Sequence, residues 1–196
     1  MNKKFTTKEY VKASLSKTMD LLRVLINLDD YIFNIQEASQ LIVDSISSNH
    51  TIYLAGNGGS AAQSQHFAAE LVSRFNFDRN PLPAVALTTD TSVLTAVSND
   101  YGYEKVFERQ LAGLAQKGDV FIGFSTSGTS KNILNCFKKA REMKLSSIGI
   151  SGEVGMKESK PDILISIPSQ NTPLIQEIHC ITSHLICDIV EKTIFN

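Results

Sequence analysis

The chain has no tryptophan, only three cysteines and only five prolines in 196 residues. Cys136, Cys180 and Cys187 are an odd, sparse set without CxxC spacing. That excludes a disulfide-framed secreted scaffold and reads as reduced thiols in a reducing compartment. An excess of charge of one sign is also missing: 19 Lys and Arg face 20 Asp and Glu. Nucleic acid and anionic membranes need a concentrated basic face, so neither is expected as a partner. No apolar run reaches the length of a membrane span without charges. The stretch Met1 to Lys8 has some positive charge but no apolar segment behind it, so it does not read as a signal peptide. A cytoplasmic protein is expected.

What is present is ordinary globular material, 42% hydrophobic and 20% charged. The length suits one α/β domain over 1–196, with residues 1–48 as an N-terminal helical arm. Val11, Leu15, Met19 and Leu22 recur at helical spacing within 7–27. Ile32, Ile35, Ala38, Leu41, Ile42 and Ile46 do so within 30–48. Two amphipathic helices ahead of the first strand predict an arm that packs outside the core sheet, against another subunit.

From Thr51 the rhythm changes. Short apolar runs at 51–55, 83–87, 119–124, 147–151 and 162–166 read as buried strands. Helical segments are expected at 60–75, 91–98, 103–116 and 130–143, and a long last helix at 173–194, with Thr172 as its N-cap. Strand–helix alternation predicts a doubly wound, mainly parallel five-stranded sheet flanked by helices. Residues 152–161 read as a solvated connection between two strands. Cys180 and Cys187, seven apart, are expected as small core residues on one helix face.

Ligands of such sheets bind beyond the carboxyl ends of the strands. Two turns there are unusual. Gly56-Asn57-Gly58-Gly59-Ser60 offers close backbone approach and a helix N-terminus, with Ser60 and Gln63 as a candidate capping box. Its spacing is neither a dinucleotide fingerprint nor a P-loop, which excludes NAD and ATP. Ser125-Thr126-Ser127-Gly128-Thr129-Ser130 sets five hydroxyls at a strand end and can hold a phosphate without lysine. A plain polar turn is the alternative for each.

His66 and Glu70 share a helix face, and Arg74 extends the row. Gln176, Glu177, His179 and His184 lie on the last helix. A carboxylate and an imidazole can move a proton between adjacent carbons and serve their oxygens. The same side chains can hold a divalent cation. A His–Glu pair at this spacing is equally an ordinary surface contact. His184, among Ile181, Leu185, Ile186 and Ile189, equally suits a buried histidine, whereas His179 reads as exposed.

Together these motifs, with His66-Phe-Ala-Ala-Glu70, Ser98-Asn99-Asp100 and Gln176-Glu-Ile-His179, resemble the phosphoheptose isomerases of the SIS (sugar isomerase) superfamily. The resemblance covers nearly the whole chain. It implies a SIS-type fold and conversion of sedoheptulose 7-phosphate to D-glycero-D-manno-heptose 7-phosphate, the entry to activated heptose for lipopolysaccharide core or capsule. It implies Glu70 as general base and His184 as general acid, and zinc held by His66, Glu70, Gln176 and His184. It implies that Asn57, Gly58, Gly59, Glu70, Asn99, Asp100 and Gln176 contact the sugar, and that Ser125, Thr126, Ser127 and Ser130 hold the phosphate. It also implies a homotetramer with sites between subunits. Gln176 and His184 stand about 12 Å apart along a regular helix, so one ion would need a distorted helix or donors from two chains. The competing readings are a non-catalytic relative that binds the replication initiator DnaA, and a sugar-phosphate sensor. Glu70 and His184 favour the enzyme, and no helix-turn-helix segment is left over for a sensor.

Overall fold

The computed structural model describes residues 6–195, so the reading of Met1 to Phe5 lies outside the described residues. Helices α1 (Thr7–Ile26) and α2 (Asp29–Ser47) form the arm. Thr6 caps α1 by accepting from the Glu9 N–H. Five strands follow: β1 (Ile52–Ala55), β2 (Ala84–Ala86), β3 (Val120–Ser125), β4 (Ser146–Ser151) and β5 (Ile163–Ser166). They are wholly rather than mainly parallel, in the order β2-β1-β3-β4-β5.

Between them run α3 (Gly59–Val72), α4 (Thr91–Tyr101), α5 (Val106–Leu114) and α6 (Lys131–Met143), and α7 (Thr172–Phe195) closes the chain. The expected helix over 103–116 begins instead as a 3₁₀ turn, Tyr103–Lys105. Helix α4 starts after Asp90, which accepts from the Val93 N–H, and outruns its expected end because nothing breaks it before Gly102. Ser98, Asn99 and Asp100 are therefore helical.

Strand alternation builds two cores. Ile52 and Leu54 of β1, with Val120, Ile122 and Phe124 of β3, face α2, α3 and α7. Tyr53, Ala55 and Phe121 face α5 and α6, where Phe121 meets Phe137 edge to face at 5.0 Å.

Two local expectations fail for identifiable reasons. The Ser60–Gln63 capping box does not form: Gly58, at φ +56°, holds the N-cap position of α3. Ser60 lies buried inside the first turn, and Gln63 Nε2 donates to the Gln176 carbonyl. At α7 the cap is Asn171 rather than Thr172, its Oδ1 accepting from the Leu174 N–H at 3.2 Å. The 152–161 connection is only partly solvated: Met156 is fully buried in the α5–α6 core, and Arg141 donates to the Lys160 carbonyl.

Candidate active site

The strand order reverses between β1 and β3, the switch point at which open parallel sheets leave a crevice. The glycine turn leaves β1 there and the hydroxyl-rich turn leaves β3 beside it. A reciprocal amide pair locks them together. Asn57 Nδ2 donates to Asn132 Oδ1 at 2.9 Å, and Asn132 Nδ2 returns the bond at 2.8 Å. Tyr103 Oη donates to the same Asn57 oxygen at 2.9 Å.

The second turn is shaped from within. The Gly128 N–H donates to the Ser125 carbonyl at 3.0 Å, with Gly128 at φ +71°. Ser125 Oγ donates to Ser130 Oγ at 3.0 Å, and the Ser127 and Thr129 hydroxyls pair at 3.0 Å. Ser130 stands at the N-cap position of α6 without a side-chain cap bond, so its hydroxyl is not spent on the helix. Ser125 is buried, Thr126 half-buried and Ser127 exposed.

The chemistry-bearing side chains lie further along α3 and α7, which pack side by side. Gln176 sits at the start of both: a Cβ on Gly59 would fall 2.5 Å from its Nε2, so a larger residue there would push that amide aside. Two turns on, His66 Nε2 lies 2.8 Å from His184 Nε2 and 3.4 Å from Glu70 Oε1. Cys180 Sγ lies 3.9 Å from His184 Nε2. Phe75 packs its ring against the His184 imidazole at 5.5 Å.

The structure thus brings Glu70, His66 and His184 together, and separately joins Asn57 to Asn132 in the first turn of α6, just after the hydroxyl turn. It does not bring Asn99 and Asp100 to either group. They are exposed on the last turn of α4, Asn99 donating to Asp100 at 2.8 Å. Arg74 lies beyond the end of α3 and is exposed, with no ion pair among the described residues.

Sequence similarity decides the family. Residues 20–152 match the SIS domain family. A phosphoheptose isomerase from Sulfurimonas denitrificans is 48% identical over 96% of this chain and 97% of its own length. Another, from Clostridium acetobutylicum, is 43% identical over 96% of each.

The chain belongs to the phosphoheptose isomerases.

The solved phosphoheptose isomerase from Neisseria gonorrhoeae superposes with a TM-score of 0.88 at 36% identity, covering 95% of this chain and all of that one. The parallel sheet expected from strand–helix alternation, and the SIS-type fold that the resemblance implies, are therefore the observed ones.

Within this phosphoheptose isomerase, Cys180 departs from its expected role. Cys187 is buried as anticipated, and burial pushes its thiol pKa well up, with the Glu70 charge adding to the effect. Cys180 is instead half-buried beside His184. The signal was available: Gln176, Cys180 and His184 follow one another at four-residue spacing and share one helix face. Ligand atoms of His66, Cys180 and His184 all fall within 4.8 Å of one another. Two imidazole nitrogens and a sulfur are a donor set that suits a borderline-soft divalent metal. Helix α7 runs unbroken from Thr172 to Phe195, and the Gln176 amide lies at Gly59, two turns from this cluster.

His179 reverses its expected exposure. It is fully buried against the Phe124 ring at 5.9 Å. Neither ring nitrogen finds a hydrogen-bond partner at ordinary distance. Burial pushes its pKa down to about 4, and the nearby Ser151 backbone only weakly opposes this.

Proposed function

We propose that this isomerase converts sedoheptulose 7-phosphate to D-glycero-D-manno-heptose 7-phosphate, supplying activated heptose synthesis in the cytoplasm. One observation carries the mechanism: a carboxylate, Glu70, and an imidazole, His184, converge on His66 across two helices. The substrate phosphate sits on Ser125, Thr126, Ser127 and Ser130. The sugar lies along Asn57, Gly58, Gly59 and Gln176, and Asn99 and Asp100, which stand apart from these within the chain, reach it from another subunit. Glu70 removes a proton from C1 while His184 protonates the carbonyl oxygen on C2. The resulting enediol takes a proton at C2 from Glu70 and loses one from the C1 oxygen, giving the aldose.

Zinc is the metal the donor set suits. His66, Cys180 and His184 would hold it in one chain, with Glu70 and Gln176 as further candidates. When bound it would polarise the substrate carbonyl and stabilise negative charge on the oxygens.

Glu70 stands eleven residues along α3 from Gly59, about 16 Å at the helical rise. That separation between Glu70 and the glycine turn supports a site completed by two chains. The acid–base pair of one chain therefore serves the turns of another, within a homotetramer. The exposed apolar stripe of α1, with Val11, Leu15 and Met19, is the surface that residues 1–48 offer to such packing.

Among the described residues no helix is long and apolar enough to cross a membrane. Keeping Glu70 and His184 argues against a purely DnaA-binding or sensory role. The test is to incubate the purified protein with sedoheptulose 7-phosphate and follow the aldose by proton NMR, with light scattering for assembly. An aldoheptose phosphate signal from a tetramer supports the reading. No turnover from a folded tetramer contradicts it.

A further inference from the structure

Helix α3, which carries His66 and Glu70, ends at Val72 without a glycine cap. Its last carbonyls are taken up by a side chain that folds back from seven residues downstream. Arg79 Nη2 donates to the Glu70 carbonyl at 2.8 Å, and Nη1 donates to the Leu71 carbonyl at 2.7 Å. Arg79 Nε donates to Glu191 Oε1 on α7 at 2.9 Å. Glu191 also accepts the backbone N–H groups of Phe75 at 2.8 Å and Asn76 at 2.6 Å. The two charged side chains are 2% and 1% exposed. Phe75, so held, is the ring that packs on His184.

We propose that Arg79 and Glu191 are positioning residues of the isomerase: their buried pair fixes α3 against α7 and so sets the separation of Glu70 and His184. The proposal rests on the proton-transfer reading above.

Stability alone accounts poorly for this pair. Burying two charges costs about as much as their attraction returns, and an apolar pair would hold the helices as well. What an apolar pair cannot do is direct hydrogen bonds. The guanidinium is a rigid fork of five donors, and here it reaches the carbonyl of the base itself. Burial works to raise the Glu191 pKa, but the Phe75 and Asn76 N–H groups and Arg79 outweigh it and hold the carboxyl below its usual range. The carboxylate stays charged at neutral pH, so the clamp does not loosen there. Proton transfer depends steeply on geometry, and a misplacement of about 1 Å costs on the order of 100-fold in rate.

The test uses Glu191→Gln and Arg79→Lys in the full chain. Thermal melts, kcat, KM and long-range proton–nitrogen spectra of the imidazoles are measured. We expect cooperative melting, kcat lowered about tenfold to a hundredfold, and KM within about twofold of the parent. The His184 ring signals should shift, while those of His50, which pairs with Asp119 at the opposite strand ends, should stay. A folded variant with kcat within about twofold of the parent and unmoved His184 signals overturns the proposal. So does loss of folding in both variants, which would assign the pair to stability alone. If the parent enzyme itself shows no turnover, the isomerase reading has failed, and the ring signals still report whether the pair sets the geometry.

Discussion

His66 and His184 meet Nε2 to Nε2 at 2.8 Å, one from each of two neighbouring helices. In a hydrogen bond only one of those nitrogens can offer its lone pair, whereas a cation accepts both. The paired rings are therefore predicted to hold zinc. Replacing either by Leu removes a direct donor, and should weaken zinc at least as much as the tenfold to hundredfold losses typical of outer-shell changes. Competition with a chromogenic chelator measures this. Zinc affinity unchanged in both variants would contradict it.

The sulfur of Cys180 is predicted to be a donor as well. Cobalt(II) loaded in place of zinc should give a sulfur-to-cobalt charge-transfer band in the near ultraviolet, and Cys180→Ser should abolish it. A parent protein that binds cobalt without that band would remove Cys180 from the ligand set.

Gly128 holds the hydroxyl turn at φ +71°, and a Cβ there would collide with the Gly155 carbonyl oxygen. Gly128→Ala is predicted to cost roughly 1–3 kcal/mol of stability through strain at that position. It should also raise KM for the phosphorylated sugar more than it lowers kcat. Melting and steady-state kinetics check both. An unchanged KM would show that this turn does not hold the phosphate.

His179 predicts an acid-sensitive core. Its folded pKa is pushed from 6.5 to about 4. Above the unfolded value both states are neutral and the full stability is present. As pH falls from about 6.5 towards 4, the unfolded chain takes up a proton that the folded one refuses, so stability drops. The loss for full burial is about 3 kcal/mol. Urea melts at several pH values should show that slope, and His179→Leu should flatten it. An equal slope in the variant would place the acid sensitivity elsewhere.

Much of this arrangement is written locally in the chain. The apolar runs at 51–55 and 119–124 fix buried strands because nothing else satisfies both their pattern and their length. The turns after them become switch-point loops as soon as the sheet is parallel. Three other features depend on contacts that local patterns do not carry. Ser60 looks like a helix cap, yet Gly58 takes the cap position because it alone adopts the positive φ the turn needs. His179 looks exposed beside Glu177, yet α7 packs on the sheet with this side chain facing the Phe124 ring. Cys180 looks like core material, yet α3 lies close enough to draw it into the histidine cluster. Helix facing is local, whereas helix placement is not.

The most direct measurement of the central claim is isomerisation of sedoheptulose 7-phosphate in deuterium oxide by the parent enzyme and by Glu70→Gln. The account predicts an aldoheptose phosphate carrying deuterium at C2 from the parent. From Glu70→Gln it predicts a rate lower by about 100-fold or more, with assembly unchanged. A folded, assembled Glu70→Gln enzyme that turns over at the parental rate would contradict it.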